Sequence, residues 1–235
     1  MNNGCKNTLK CEDCKNNKNS LFANLPIENR QLIEDNKLNC NYKKGDSIFK
    51  EGMIPTGLIC LNSGKVKVFK EGVGREQIIR LVKPVELFGY RAVLSKENYN
   101  CSAIALEDST VCHIDKDIVF KVLKDDENLA LEIIKRLAFE LGYTKNQIVN
   151  LTQKHVRGRL AESLLVLKNT YGIADNNGFL DVRFSRNDLA NLANMTTSNA
   201  SRTLSSFVDE KLVKLDGKKI KILNTSQLMR ISNYG

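Results

Sequence analysis

The segment 196–211 carries the residues of this chain that are best suited to recognition chemistry. At about 100° per residue, one arc of a helix here is polar and offers hydroxyls and one guanidinium: Thr197, Ser198, Ser201, Arg202 and Ser205. The opposite arc is apolar: Ala200, Leu204 and Phe207. An arginine can bind guanine through two parallel hydrogen bonds, and hydroxyls can serve bases or phosphates. The polar arc is therefore predicted to read double-stranded DNA.

A shorter helix is predicted to hold this one in place. It opens at Ser185 and Arg186, where Ser185 and Asp188 have the spacing of a capping box. Asn194 follows it and tolerates the left-handed conformation that a tight turn needs, and Thr196 is a second N-cap. Two short helices joined by a tight turn are typical of a helix-turn-helix. We expect Ser185, Arg186 and Thr196 to border the same DNA surface.

A hairpin is predicted directly after the second helix. Asp216-Gly217 separates two β-prone runs, and this dipeptide between such runs favours a tight hairpin turn. Its lysines would lie within reach of a DNA backbone: Lys214, Lys218, Lys219 and Lys221. An α+β fragment with a solvated lysine edge is the alternative. The combined pattern favours a winged helix-turn-helix DNA-binding domain over residues 156–235.

Composition limits the other classes of function. The net charge is +9, and more than half of it lies after residue 155, which suits a polyanionic partner. Only two histidines, His113 and His155, leave little room for a histidine-rich metal site or a histidine-based triad.

No apolar run is long enough to span a membrane, and the polar first 20 residues do not resemble a signal peptide. We therefore expect a cytoplasmic protein whose seven cysteines are mostly reduced.

Two further regions precede the DNA-binding domain, after a tail. Residues 1–20 are rich in Asn and Lys and predict a poorly ordered, cysteine-containing tail. Residues 21–125 contain short β-prone runs separated by glycines such as Gly52 and Gly64, which is typical of an antiparallel β-roll or jelly roll. Residues 126–155 predict one long helix, so the fold class is α+β.

The long helix carries a narrow apolar seam. Its members recur alternately every four and three residues: Ala130, Ile134, Leu137, Leu141, Thr144, Ile148 and Leu151. A sustained heptad seam of this kind favours pairing with another helix, here the same helix of a second copy across a two-fold axis. Packing of the helix on its own β-roll is the alternative. We therefore expect residues 126–155 to be a dimerisation helix.

The chain as a whole resembles the Crp–Fnr family of transcription regulators. The resemblance extends from about Leu21 to Leu223 and rests on residues 44–52, 61–68, 87–89, 103–115 and 156–162, together with the winged helix-turn-helix. It implies an effector-binding β-roll, a long dimer helix and a DNA-binding domain. Many relatives carry a glutamate in the first turn of the recognition helix. Ser198 stands there in this chain, so the resemblance implies a different operator.

The resemblance fails at the contacts that relatives make to cyclic AMP. Those relatives follow Phe-Gly with a glutamate and precede Ser-Ala with an arginine, whereas this chain has Tyr90 and Cys101. A buried phosphate without its arginine would lose a charge-assisted hydrogen bond. We therefore expect an effector other than cyclic AMP. The candidate effector pocket comprises Phe88, Gly89, Tyr90, Arg91, Cys101 and Ser102.

The oxygen-sensing branch of the family implies a different sensor. That branch holds an iron–sulfur cluster on three N-terminal cysteines and one central cysteine, and the matching candidates here are Cys5, Cys11, Cys14 and Cys112. The two gaps between the N-terminal cysteines occur in the opposite order in the branch. Reduced cysteines in a tail, a zinc site and a redox disulfide are the alternatives. Some relatives sense gases through haem, for which His113, Met53 and the cysteines are conceivable ligands.

These features together indicate a homodimeric, sequence-specific DNA-binding regulator and not an enzyme. Its β-roll is expected to sense a small effector, a gas or a redox state. The expected partners are a palindromic DNA operator and a second copy, with RNA polymerase as a further candidate. One alternative is a ligand-independent regulator controlled by its abundance. Another is a cupin-like enzyme, which would need metal ligands clustered inside the roll.

Overall fold

The computed structural model describes residues 5–6, 20–22, 24–174 and 177–234. The chain divides into two compact units, Met1–Lys70 with Arg80–Leu141, and Glu71–Ile79 with Gly142–Gly235. The last of the three boundaries between them, after Leu141, falls within the long helix Glu127–Gln153. Helices and antiparallel strands are both present, which confirms the α+β class.

The roll is built on two four-stranded sheets. The strands of these sheets are β1 (Lys37–Tyr42), β2 (Ser47–Phe49), β3 (Gly57–Ser63), β4 (Val66–Glu71), β5 (Glu76–Val82), β6 (Leu87–Phe88), β7 (Ser102–Ala105) and β8 (Ser109–Asp115). One sheet has the order β1-β8-β3-β6 and the other the order β2-β7-β4-β5. The predicted antiparallel β-roll is therefore confirmed.

Strand alternation gives the β1-β8-β3-β6 sheet two distinct faces. Val111 and Ile59 point into the roll, where they meet Phe49 and Val68 of the other sheet. The next residues along, such as Cys112, point the opposite way. The helices that cover this second face are α1 (Ile27–Asp35), α2 (Tyr90–Ser95), α3 (Lys116–Asp125) and the first turns of α4 (Glu127–Gln153). Side chains one residue apart thus enter different cores.

The second unit contains the predicted winged helix-turn-helix. Its elements are α5 (Val156–Tyr171), α6 (Arg186–Leu192), α7 (Thr197–Asp209), β9 (Val213–Asp216), β10 (Lys219–Ile222) and α8 (Thr225–Tyr234). Helix α5 packs against α8 and α7, and α6 packs against α7. The side chains of Leu164, Leu189, Leu204 and Phe207 are fully buried between these helices.

Local chemistry sets the ends of α6 and α7. The Asp188 amide donates to Ser185 Oγ at 3.0 Å and the Ser185 amide donates back to the Asp188 carboxylate, which confirms the capping box. Asn194 has a φ of 51° in the turn, and the Asn199 amide donates to Thr196 Oγ1 at 3.2 Å. Asp216 pairs with Lys219 across the Asp-Gly turn, as predicted.

The N-terminal region departs from the sequence prediction at one point. Cys5 and Lys6 lie beside β1, and Cys5 forms a disulfide bond with Cys40. This pair is an exception to the expectation that the cysteines are mostly reduced, because pairing of the two segments brings the thiols together. Cys11 and Cys14 lie outside the described residues. In the described part of the chain, the helices are too short or too polar to cross a bilayer.

Candidate nucleic-acid interface

Helix α7 separates its apolar and polar residues as its sequence predicts. Ala200, Leu204 and Phe207 are fully buried. The polar arc faces outwards: Thr196, Thr197, Ser198 and Arg202 are exposed and Ser201 is half-buried. Exposed hydroxyls and one guanidinium therefore occupy the first two turns of the helix, which is the part that enters a major groove in helix-turn-helix proteins.

The residues at the start of α6 lie close to the same surface. Ser185 and Arg186 are half-buried, and the Ser185 hydroxyl is engaged by Asp188 in the cap. Thr197 Oγ1 donates to Asn187 Oδ1 at 3.2 Å, which links the first turns of the two helices. Asn187 is exposed and was not predicted from the sequence. Its position two residues after the N-cap Ser185, in the first turn of α6, was the signal that could have identified it.

Two arginines that sequence reasoning missed fix the position of this helix pair. Arg159 donates to the carbonyl oxygens of Ala193 at 3.0 Å and Asn194 at 3.2 Å, at the end of α6. It also donates to the Lys154 carbonyl at 3.0 Å, beyond the end of α4. A cation is stabilised beside such carbonyls because they carry the negative end of the helix dipole. Arg159 thereby ties the end of α4 to the helix-turn-helix turn.

Arg157 connects α5 to the far end of α7. Its guanidinium donates to Ser206 Oγ at 2.9 Å, pairs with the Glu210 carboxylate and lies 4.8 Å from the centre of the Phe207 ring. Hydrogen bonds from Arg157 and Ser206 lower the pKa of Glu210. Arg159 binds backbone carbonyls, and Arg157 binds the side chains of Ser206 and Glu210. Only the folded chain creates these contacts, so helical periodicity does not reveal them.

The wing presents part of its predicted lysine edge. Lys214 and Lys218 are exposed, and Lys219 is half-buried. Lys221 pairs with Lys214 in the hairpin register, but its Nζ donates to the Asn177 carbonyl at 3.1 Å. Lys221 is therefore engaged within the domain, and Lys214 and Lys218 are the wing lysines most available to an external anion.

Aromatic rings fill the roll interior near the candidate effector pocket. Phe49 stacks on Tyr99 with ring centres 4.0 Å apart, and Phe88 packs against Phe49. A Cβ atom on Gly89 would lie 3.0 Å from Tyr99 and 3.1 Å from Phe49. Burial raises the pKa of Tyr99 to about 12. The space beside Phe88 and Gly89 is thus occupied by the chain's own side chains.

The structure does not bring the six predicted pocket residues together. Tyr90 is buried on the opposite face of the sheet, where its hydroxyl hydrogen-bonds Glu140 of α4, and burial together with that carboxylate raises its pKa. Glu140 also pairs with Arg80. Arg91 donates to Glu97 at 2.6 Å, and the Ser102 hydroxyl accepts from the Glu51 amide. Cys101 is half-buried, and burial raises the pKa of its thiol.

The described cysteines do not fit the four-thiolate cluster of the oxygen-sensing branch. Cys5 is bonded to Cys40 in the roll interior, whereas Cys112 lies on the other face of the sheet and donates to Asn39 Oδ1 at 3.0 Å. Over the described residues, no three Cys, His, Asp or Glu side chains gather around a metal-sized space. His113 Nε2 lies 3.0 Å from Thr56 Oγ1, and burial lowers the pKa of the imidazole.

Two family profiles cover most of the chain. Residues 39–126 match the cyclic nucleotide-binding domain, and residues 158–231 match the Crp-like helix-turn-helix domain. The first covers the sheets of the roll, and the second covers the helices and wing described above.

Curated relatives and solved structures agree with this assignment. A fumarate and nitrate reduction regulatory protein of Vibrio cholerae is 27% identical over 235 residues, covering 97% of this chain and 92% of the relative. A CRP-like cAMP-activated global transcriptional regulator of Mycobacterium tuberculosis is 25% identical, covering 81% of this chain and 86% of the relative. A crp/fnr-family regulator structure from Eubacterium rectale shares the fold, with a TM-score of 0.73, 23% identity and coverage of 91% and 97%. The chain belongs to the Crp–Fnr family of DNA-binding transcription regulators, not to a family of enzymes.

Proposed function

We propose that this protein is a homodimeric regulator that binds a palindromic operator through α7 and the wing. The observation that carries the proposal is the exposed polar arc of α7, held on fully buried Ala200, Leu204 and Phe207. Arg202 would donate to a guanine, and Thr197 and Ser198 would contact neighbouring bases or phosphates. Lys214 and Lys218 would neutralise phosphates and position the domain without specifying sequence.

The exposed seam of α4 supports the dimer. Ile134 is 60% exposed, and Leu141 and Ile148 are each 58% exposed, in one row along the helix. Leu137 is half-buried and packs on its own protomer, and Thr144 is exposed. A continuous apolar row is stabilised by removal from water, and an identical row on a second copy provides a complementary partner. Two-fold symmetry then places half-sites about 34 Å apart on DNA.

Redox state is the sensory input that we favour over cyclic AMP. The roll interior beside Phe88 and Gly89 is filled by Phe49 and Tyr99, and Tyr90 faces α4 instead of the interior. The relative named as a fumarate and nitrate reduction regulator matches over nearly the whole chain. A regulator without any ligand is the second candidate, and the filled interior also suits it. RNA polymerase is a further proposed partner.

The sharpest test of DNA reading is Arg202→Ala on an operator selected from a random duplex library. Loss of a bidentate guanine contact should weaken binding by about 1–3 kcal/mol and relax discrimination at one base pair of each half-site. Fluorescence anisotropy on the selected duplex and on single-base variants measures both effects.

A matched control separates this contact from loss of positive charge. Arg230 is an exposed arginine on α8, and Arg230→Ala removes the same charge away from the polar arc. Its operator affinity should stay close to that of the unaltered protein. Unchanged affinity and unchanged base discrimination in Arg202→Ala would remove Arg202 from the reading surface.

A further inference from the structure

Cys5 and Lys6 pair with the outer strand of one sheet of the roll. Strand β1 is the outer strand of its sheet, and the Lys6 and Asn39 backbones exchange two hydrogen bonds of 2.9 Å each. Such an exchange marks a hydrogen-bonded pair of antiparallel residues, so the neighbouring pair, Cys5 with Cys40, is a non-hydrogen-bonded one. The Cα atoms of that kind of pair approach to about 4.5 Å. The observed Cα–Cα distance is 4.3 Å, and the sulfurs are bonded.

The surroundings of the two sulfurs differ. Cys40 is only 8% exposed and belongs to the core between the two sheets, together with Phe49 and Val111. Cys5 is half-buried and packs against that core from the edge. The Cys112 side chain lies on the opposite face of the same sheet. Pairing of Cys5 with Cys40 is therefore compatible with the β1 register, whereas shared ligation by Cys5 and Cys112 is not.

We propose that Cys5 and Cys40 form a reversible dithiol–disulfide pair that fastens the N-terminal segment, here Cys5 and Lys6, to β1. The inference deepens the proposed function, since it names thiol redox state as an input to the regulator. While the disulfide is closed, the Cys5 sulfur is bonded to Cys40 and cannot be a ligand of an iron–sulfur cluster. The oxidant that closes the Cys5–Cys40 bond is a low-molecular-weight disulfide.

The exchange chemistry balances in two steps. The more accessible Cys5 thiolate attacks the external disulfide, which forms a mixed disulfide and releases one thiol. The Cys40 thiolate then attacks the Cys5 sulfur, which closes the Cys5–Cys40 bond and releases the second thiol. The two cysteines lose two electrons and two protons in all, and the external disulfide gains them. Excess external thiol reverses both steps.

Closure changes how firmly the N-terminal segment is held. Two backbone hydrogen bonds at Lys6 and Asn39 form a bridge too short to be stable alone, since isolated two-stranded pairing is marginal in water. The disulfide removes the freedom of the segment to leave the edge. In the reduced protein, the Lys6 and Asn39 amides are thus expected to exchange with solvent faster.

The test uses the full chain, equilibrated anaerobically with glutathione disulfide or with excess dithiothreitol. Oxidation should lower the intact mass by two hydrogen atoms, and peptide mapping should join Cys5 to Cys40. Cys5→Ser and Cys40→Ser should each abolish that link. Cys101→Ser, a half-buried cysteine of the same roll, should retain it.

Hydrogen exchange gives a second readout that is independent of DNA. The Asn39 amide should be protected in the oxidised protein and exposed in the reduced protein, with Cys5→Ser behaving as reduced under both conditions. Linkage of Cys5 to another cysteine, or full reduction under glutathione disulfide, would overturn the proposal. So would stoichiometric iron or zinc that is lost in Cys5→Ser. Operator binding is measured separately, so failure of the redox pair and failure of DNA recognition are distinguishable.

Discussion

Helices α4 and α7 each bury one face, but they leave opposite kinds of surface exposed. Helix α4 buries Leu129 and Ile133 and exposes Ile134, Leu141 and Ile148. Helix α7 buries Leu204 and Phe207 and exposes hydroxyls with one guanidinium. Because water solvates the second surface well and the first poorly, the two surfaces suit different partners. The first suits a second copy of the same helix, and the second suits the hydrogen-bonding edges of DNA.

The largest expected effect comes from placing charge in the α4 seam. Ile134→Asp with Leu141→Asp should yield monomers, because four carboxylates would be buried in the proposed symmetric dimer. Several kcal/mol are lost per buried ion, so a loss of about 4 kcal/mol or more, about a thousandfold in dimer affinity, is expected. Sedimentation velocity measures the mass.

Phe139 provides the control for the seam. It is 76% exposed and lies on the opposite side of the same helix. Phe139→Asp should therefore leave the dimer intact. Dimers in the double variant, or monomers in Phe139→Asp, would show that the dimer does not form through the face of α4 that carries Ile134 and Leu141.

The buried face of α7 should control stability. Leu204 is fully buried, and Leu204→Ala removes packing and leaves a cavity, at a cost of about 2–5 kcal/mol. Urea unfolding followed by far-UV circular dichroism gives the change. Ser205→Ala, on the exposed arc next to Leu204, should change the unfolding free energy by less than about 0.5 kcal/mol. Equal losses in both variants would contradict the division of α7 into a packed face and an exposed face.

The capping box at α6 should contribute a smaller amount. Ser185→Ala leaves the Asp188 amide without its acceptor and is expected to cost about 1 kcal/mol of unfolding free energy. Ser185→Thr keeps both the N-cap acceptor and the hydroxyl that faces Asp188, and it should recover most of that loss. Loss of operator affinity with no change in stability would instead make Ser185 a direct DNA contact.

Substitution of a wing lysine should give the smallest loss of DNA affinity, and that loss should depend least on the DNA sequence. Lys218→Ala removes one phosphate contact, so binding should weaken alike for operator and random duplex. The slope of log affinity against log salt should fall by about 1. Glu210 pairs with Arg157 inside the domain, so Glu210→Gln should leave that slope unchanged. A sequence-selective loss in Lys218→Ala would place this lysine at a base edge.

Local patterns predicted the DNA-binding unit well because its signals are short in range. The Ser185–Asp188 box, the left-handed Asn194 and the Asp216-Gly217 turn each depend on residues a few positions apart. The effector region was predicted less well. Sequence order made Phe88 and Tyr90 neighbours, but the sheet sends their side chains into different cores. Residues adjacent in sequence therefore do not form one pocket there.

The sequence by itself determined the periodic helices, their caps, the wing and the absence of the cyclic AMP contacts, because each depends on residue type at fixed spacing. Only the tertiary structure decided that Cys5 meets Cys40, that Tyr90 reaches Glu140 and that Arg159 joins the end of α4 to the α6 turn. The Cys5–Cys40 contact depends on strand register, because a shift of one residue in pairing turns a side chain to the other face of the sheet. The contacts of Tyr90 with Glu140 and of Arg159 with the α6 turn join residues that are far apart in sequence, so only the packed fold brings them together.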